Sequence, residues 1–191
     1  LTQRDPDEEN PQKDDLYEFG TVAKIKQIVK LSKDSLRIMV EGVYRAHLDN
    51  LIMTEPMLKA EVTVYDKVIC EIDEVQQAGY VRYLHELLEN YAMQNKNFSN
   101  ELVRQLLEEE DLLKLVDQLC TNIPMDYKQR QVCLEAIDLQ MRFEQLAQFM
   151  NKEIEMIQIT REIQAKVKER VDKNQREYIL REELKVIREE L

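Results

Sequence analysis

From Asp138 to Leu191 the chain contains neither Gly nor Pro and is rich in Glu, Lys, Arg, Gln, Leu, Ile and Met, residues that lose little on becoming helical. The pattern predicts a single helix. At about 1.5 Å per residue it reaches roughly 80 Å, more than twice the breadth of a small domain. Its apolar side changes along the way. Between Leu139 and Ile159 apolar residues are dense (Leu139, Phe143, Leu146, Met150, Ile154 and Ile157 among them), so this part is expected to lie against other helices. Between Thr160 and Glu177 only Ile163, Ala165, Val167 and Val171 remain, a narrow stripe expected to be wet on most sides. The end regains a seam, Leu180, Leu184, Ile187 and Leu191, spaced by four, three and four as in a coiled coil. No single heptad register spans the whole segment, so a projecting arm with a terminal contact patch is expected, not an uninterrupted zipper.

The periodicity upstream divides in two. Tyr17 to Leu31 alternates, with Ala23, Ile25, Val29 and Leu31 on one side and Lys24, Lys26 and Lys30 on the other. After the polar turn Ser32 to Ser35, Leu36 to Leu48 alternates again, and the two stretches predict an antiparallel hairpin. A break is expected near Asp49, Asn50 and Pro56, then a third strand within Leu58 to Ile72. So small a sheet needs a covering partner and leaves an open edge. From Asp73 the period becomes helical. Val81, Leu84, Leu88 and Tyr91 form one face, and Ser99 is a candidate N-cap with a Phe98/Val103 staple. Leu112 to Asn122 turns Leu112, Leu115, Val116 and Leu119 inward, and Asp126 to Ala136 forms a short helix bearing Val132 and Leu134. Short connections between these helices predict an antiparallel bundle. The fold class is α+β, mostly α.

Composition narrows the classes. Of 191 residues, 43% are apolar and 34% charged, which suits an ordered helical protein with a real core. No apolar run approaches the roughly 20 residues of a membrane span, so a cytoplasmic chain without a membrane partner is expected. The net charge of -11 is uneven. Residues 1 to 20 carry -5, residues 73 to 150 carry -7, and residues 151 to 191 balance ten acids against ten bases. An acidic body with interleaved charges on the helix disfavours nucleic acid and reads as a solvated face with local i,i+4 pairs. Leu1 to Asp15 holds two prolines and a cluster of acids, and reads as a mobile lead-in. The chain does not begin with Met, which suggests that something upstream was removed.

Candidate chemistry is sparse. Cys70, Cys120 and Cys133 form no CxxC, so reduced and partly buried thiols are expected instead of a disulfide framework or zinc site. His47 and His85 stand without nearby ligands. Ser32, Ser35 and Ser99 fit no nucleophile elbow, and Gly20, Gly42 and Gly79 are too far apart for a phosphate loop. No catalytic, cofactor-binding or metal-binding residues are expected in this chain.

Several of these stretches resemble the N-terminal region of the ATP-dependent Lon protease family. Phe19-Gly20-Thr21-Val22 with Ile25 and Lys30-Leu31 is similar to that family's FTVGT strand with one residue missing. Val40-Glu41-Gly42 continuing to Arg45-Ala46 resembles its VEG...RA strand. Ile123-Pro124-Met125 with Lys128-Gln129 and Leu134-Glu135 resembles its LPL...KQ..LE segment. Gln175-Arg176-Glu177-Tyr178, Leu180-Arg181-Glu182 and Leu184-Lys185-Val186-Ile187 resemble its QREYYLREQLKAIQKEL block, the most specific of the set. The matches follow the family's order from about Tyr17 to the end.

The resemblance implies a PUA-like β remnant, a helical bundle, and a long helix leading to an AAA+ ATPase and a Ser-Lys protease module outside this chain. The family's earlier LPLR strand, with a further strand and helix, has no counterpart here, so truncation at the N-terminus is implied. The expected division is a flexible acidic lead-in (1–16), a partial β-rich substrate-binding subdomain (17–72), a helical bundle (73–137) and the arm (138–191). The implied function is substrate recognition and assembly for an ATP-dependent serine endopeptidase acting on unfolded, tagged or regulatory proteins. The parent is expected to be a homohexamer using ATP and Mg, and the fragment a dimer. Methionine-rich surface suits capture of unfolded chains. Candidate protein-contact residues are Tyr178, Leu180, Leu184, Ile187, Leu191, Met150 and Met156. The alternative is a coiled-coil scaffold or adaptor with no protease behind it.

Overall fold

The structure is a computed structural model that describes residues 1–32, 35–53, 57–95 and 98–190, with Met53 described by its backbone alone. Three strands, β1 (Phe19–Lys30), β2 (Leu36–Met53) and β3 (Lys59–Tyr65), are followed by five helices. These are α1 (Glu74–Gln94), α2 (Asn100–Leu107), α3 (Leu112–Asn122), α4 (Tyr127–Glu135) and α5 (Leu139–Glu190). The chain divides into two compact units, Leu1–Val81 with Glu109–Leu146, and Arg82–Glu108 with Ala147–Leu191.

In the first unit the strands form an antiparallel meander in the order β1-β2-β3. Phe19 faces His47 at one end of the hairpin and Lys30 faces Leu36 at the other. Strand β2 runs through Asp49 and Asn50, where the sequence suggests a break. Register shifts between Leu48 and Asn50 and between Leu51 and Met53 absorb these polar residues as irregularities while pairing with β3 continues. Of the expected turns, Lys33, Asp34 and Pro56 lie outside the described residues.

The alternation of β1 correctly gives a strand but not a buried face. Every residue from Thr21 to Lys30 is exposed, Ile25 and Ile28 to more than half of their surface. Only the end of the sheet carrying Gly20, Ala46 and Leu48 is buried. Alternation assigns residues to two faces, and helices cover a face only as far as they extend along it.

The buried apolar residues of the first unit come mainly from Leu112, Leu115, Val116, Leu119 and Ile123, with Leu139, Phe143 and Leu146 from the start of α5. Tyr80 stacks on Phe143 with ring centroids 4.2 Å apart. The first sixteen residues are tied down by Arg4 N–H donating to Asp15 O at 2.7 Å and Tyr17 N–H to Thr2 O at 2.9 Å, and Leu16 is buried. Side chains start the helices where the sequence indicates. Asp111 accepts from Lys114 N–H, Asp126 and Gln129 form a reciprocal capping box, and Asp138 accepts from Met141 N–H at 2.9 Å.

In the second unit Leu84, Leu87, Leu88, Tyr91, Leu106, Ala147, Met150 and Ile154 are buried. Ser99 caps α2 through Leu102 N–H, and Phe98 meets Tyr91 edge-on at 5.3 Å. From Gln158 to Glu190 every residue of α5 is exposed, and Val167 and Val171 each keep 55% of their surface. This is the bare stripe expected from their spacing.

Candidate functional site

Within the first unit, a cleft of about 600 Å³ opens between the sheet and helices α3 and α4. Thr21, Gly42 and Tyr44 line its sheet side, and Asp117, Cys120, Thr121, Arg130 and Cys133 its helical side. The strands approach closely at Gly42. A Cβ there would stand 3.1 Å from Thr21 Cγ2 on β1.

Arg45 fixes the cleft's inner end. Its guanidinium donates from Nη1 to the carbonyls of Cys133 (3.1 Å) and Leu134 (2.9 Å), near the C-terminus of α4, and from Nη2 to Asp117 Oδ1 (3.1 Å) on α3. One side chain thus ties β2 to two helices, and the cation sits where the last carbonyls of α4 concentrate negative charge. Asp117 Oδ1 also accepts from Arg142 Nη1 at 3.0 Å, while Arg142 Nε donates to Ala136 O at 3.0 Å. Arg142 is fully buried. Burial first, and the neighbouring Arg142 charge second, lower the Arg45 pKa, with Asp117 opposing. Buried Gln131 adds a further tie, donating from Nε2 to Phe19 O at 2.9 Å.

These residues escape a reading of sequence alone. The available signal is position. Arg142 falls between Leu139 and Leu146 on the buried stripe of α5, and a cation on such a stripe requires a buried partner.

The candidate contact residues scatter. Tyr178, Leu180, Leu184 and Ile187 lie on the exposed end of α5, each with about half or more of its surface free, and Met156 is 59% exposed. Met150 is completely buried and offers no surface. Leu191 lies outside the described residues. Met39, Met57, Met93 and Met141 are also exposed, and Met125 is half-buried.

Among the described residues no cluster of His, Cys, Asp and Glu is arranged to hold a metal ion. Gly20 and Gly42 are in strands and Gly79 is in α1, so the glycines build no phosphate-binding turn. Among the described residues no helix is long and apolar enough to cross a membrane.

A three-stranded meander backed by helices and leading into a long exposed helix defines an α+β domain of the kind seen in a solved structure titled the N terminal domain of Mycobacterium avium complex Lon protease. That structure superposes with a TM-score of 0.59 over 74% of each chain at 21% identity. The family model described as the ATP-dependent protease La (LON) substrate-binding domain matches residues 1–152. The chain belongs to this family. Among its relatives, Lon protease of Lachnoclostridium phytofermentans is 42% identical over 191 residues, the whole of this chain and 24% of the relative. Lon protease of Bacillus thuringiensis is 34% identical over 190 residues, 99% of this chain and 24% of that relative. The chain therefore spans about a quarter of the length of these relatives.

Proposed function

We propose that this chain is the substrate-recognition and assembly region of an ATP-dependent Lon-type serine protease that degrades unfolded, tagged or regulatory proteins in the cytoplasm. The observation that carries the reading is the family match over residues 1–152, which takes in the sheet, the cleft and α1 to α4. The exposed apolar residues of β1 and β2 and the exposed methionines support it, because adaptable apolar surface suits partners without fixed shape. The net charge of -11 supports a protein partner over nucleic acid.

In this reading residues 1–16 lead in, residues 17–72 and 73–137 capture substrate, and residues 138–191 act as the spacer toward the rest of the protease. Met156 and the Tyr178, Leu180, Leu184, Ile187 and Leu191 seam contact neighbouring copies, as a dimer for the isolated chain and a homohexamer for the parent. ATP and Mg are used by a module outside this chain. A scaffold without a protease is not favoured, since these relatives are Lon proteases along their matched length.

The test is capture by the 191-residue chain of a carboxymethylated, permanently unfolded protein, measured beside the same protein in its folded form. Selective retention of the unfolded form is expected. Equal binding of both forms, or none of either, would overturn the capture role.

A further inference from the structure

Two thiols in the cleft wall play no part in capture as described above. Cys120 comes from α3 and Cys133 from α4, and both line the cleft. Both side chains border the same cleft wall. Cys133 is buried and Cys120 half-buried, and the cleft is the side from which both are bordered by open space.

The surroundings favour an anion at Cys133. Arg45 and Arg142 bring two guanidinium charges, and Asp117 meets both with one carboxylate. Arg142 is fully buried, and its Nη2 has no hydrogen-bond partner among the described residues. Buried charge is tolerated when balanced and hydrogen-bonded. A thiolate at Cys133 would balance this cluster. The neighbouring Cys120 thiol, aided by Arg45 and Arg142, holds the Cys133 thiol below the usual cysteine range. The proximity of Cys133, together with burial, pushes Cys120 above it. A thiolate beside guanidinium groups, faced by a protonated second thiol, is the arrangement of an attacking and a resolving cysteine. Cys70 is exposed and contacts Gln77 instead, which makes it an internal control.

We propose that Cys133 and Cys120 form a peroxide-responsive dithiol site, in which oxidation joins α3 to α4 by a disulfide across the cleft wall. The Cys133 thiolate attacks one peroxide oxygen. The O–O bond breaks, the second oxygen leaves as hydroxide or alkoxide and takes up a proton, and Cys133 becomes a sulfenic acid. The Cys120 sulfur then attacks the Cys133 sulfur. The S–O bond breaks, the departing hydroxide takes the Cys120 proton, and water is released. Two thiols lose two electrons and two protons, and one peroxide is reduced. The proposal is independent of substrate capture.

The test treats the reduced 191-residue chain with hydrogen peroxide and follows it by intact mass and non-reducing peptide mapping. The expected product is lighter by two hydrogens, with the Cys120 and Cys133 peptides linked, Cys70 unlinked, and formation roughly tenfold faster than oxidation of Cys70. In Cys120→Ser, Cys133 is expected to stop at the sulfenic acid and be trapped by a 1,3-dicarbonyl reagent. In Cys133→Ser, Cys120 is expected to react no faster than Cys70. Absence of the linked peptide in the unsubstituted chain, or oxidation of the pair no faster than Cys70, overturns the proposal even if either variant fails to fold.

Discussion

Asp117→Ala is the substitution that most directly tests the link between sheet and helices. Asp117 Oδ1 accepts from Arg45 at 3.1 Å and from Arg142 at 3.0 Å, and no other carboxylate forms an ion pair with either arginine among the described residues. Two charge-assisted hydrogen bonds at about 1.5 to 3 kcal/mol each set an upper figure near 6 kcal/mol. The Asp117 side chain is 48% exposed, so water compensates part of the loss at Arg45. Water does not reach the Arg142 side chain, which is 1% exposed and would be left charged and uncompensated. The Arg142 half of the pair therefore dominates, and the expected cost is about 3 kcal/mol, at the lower end for breaking a buried pair. Urea unfolding followed by circular dichroism measures it, with the midpoint lowered and the slope unchanged. A loss below about 1 kcal/mol, as for an exposed ion pair, would refute the reasoning.

Other expectations follow from burial, capping and charge. Met150→Ala removes a fully buried side chain and is expected to cost about 2 to 5 kcal/mol, while Met156→Ala, at an exposed site, is expected to stay within about 0.5 kcal/mol in the same unfolding assay. Asp126→Ala breaks the capping box with Gln129 and is expected to cost about 1 kcal/mol, read as earlier hydrogen exchange in the first turn of α4. Hydrogen bonds from His47, then from Thr63, lower the Asp49 pKa below its ordinary 3.8. Its contribution is therefore present above that value and disappears as pH falls through the lower folded value. Asp49→Asn is expected to lower stability modestly at neutral pH and to leave the acid end unchanged, so that the acid limb of the stability profile flattens, which midpoints measured down the pH series will check.

The sequence was most informative where burial and period coincide. Leu112, Leu115, Val116 and Leu119 recur at helical spacing, and all four are buried in a helix with the expected bounds. The bare stripe of Ile163, Val167 and Val171 was equally legible, because a face one residue wide covers too little area to pack. Strand β1 was half legible. Its alternation gave the pairing, but whether Ile25 or Ile28 is covered depends on which elements reach that part of the hairpin. The cleft was not legible. Arg45 lies 72 residues from Asp117 and 88 from Cys133, and local spacing says nothing about partners so distant. Arg142 alone left a trace, as a cation on an apolar stripe.

The account's central claim is that this region delivers unfolded protein to a protease whose motor lies elsewhere in the parent. The most direct measurement removes residues 1–137 from the full-length parent and follows degradation of an unfolded protein beside basal ATP hydrolysis. Degradation is expected to fall while hydrolysis persists. Undiminished degradation by the shortened protein would contradict the claim.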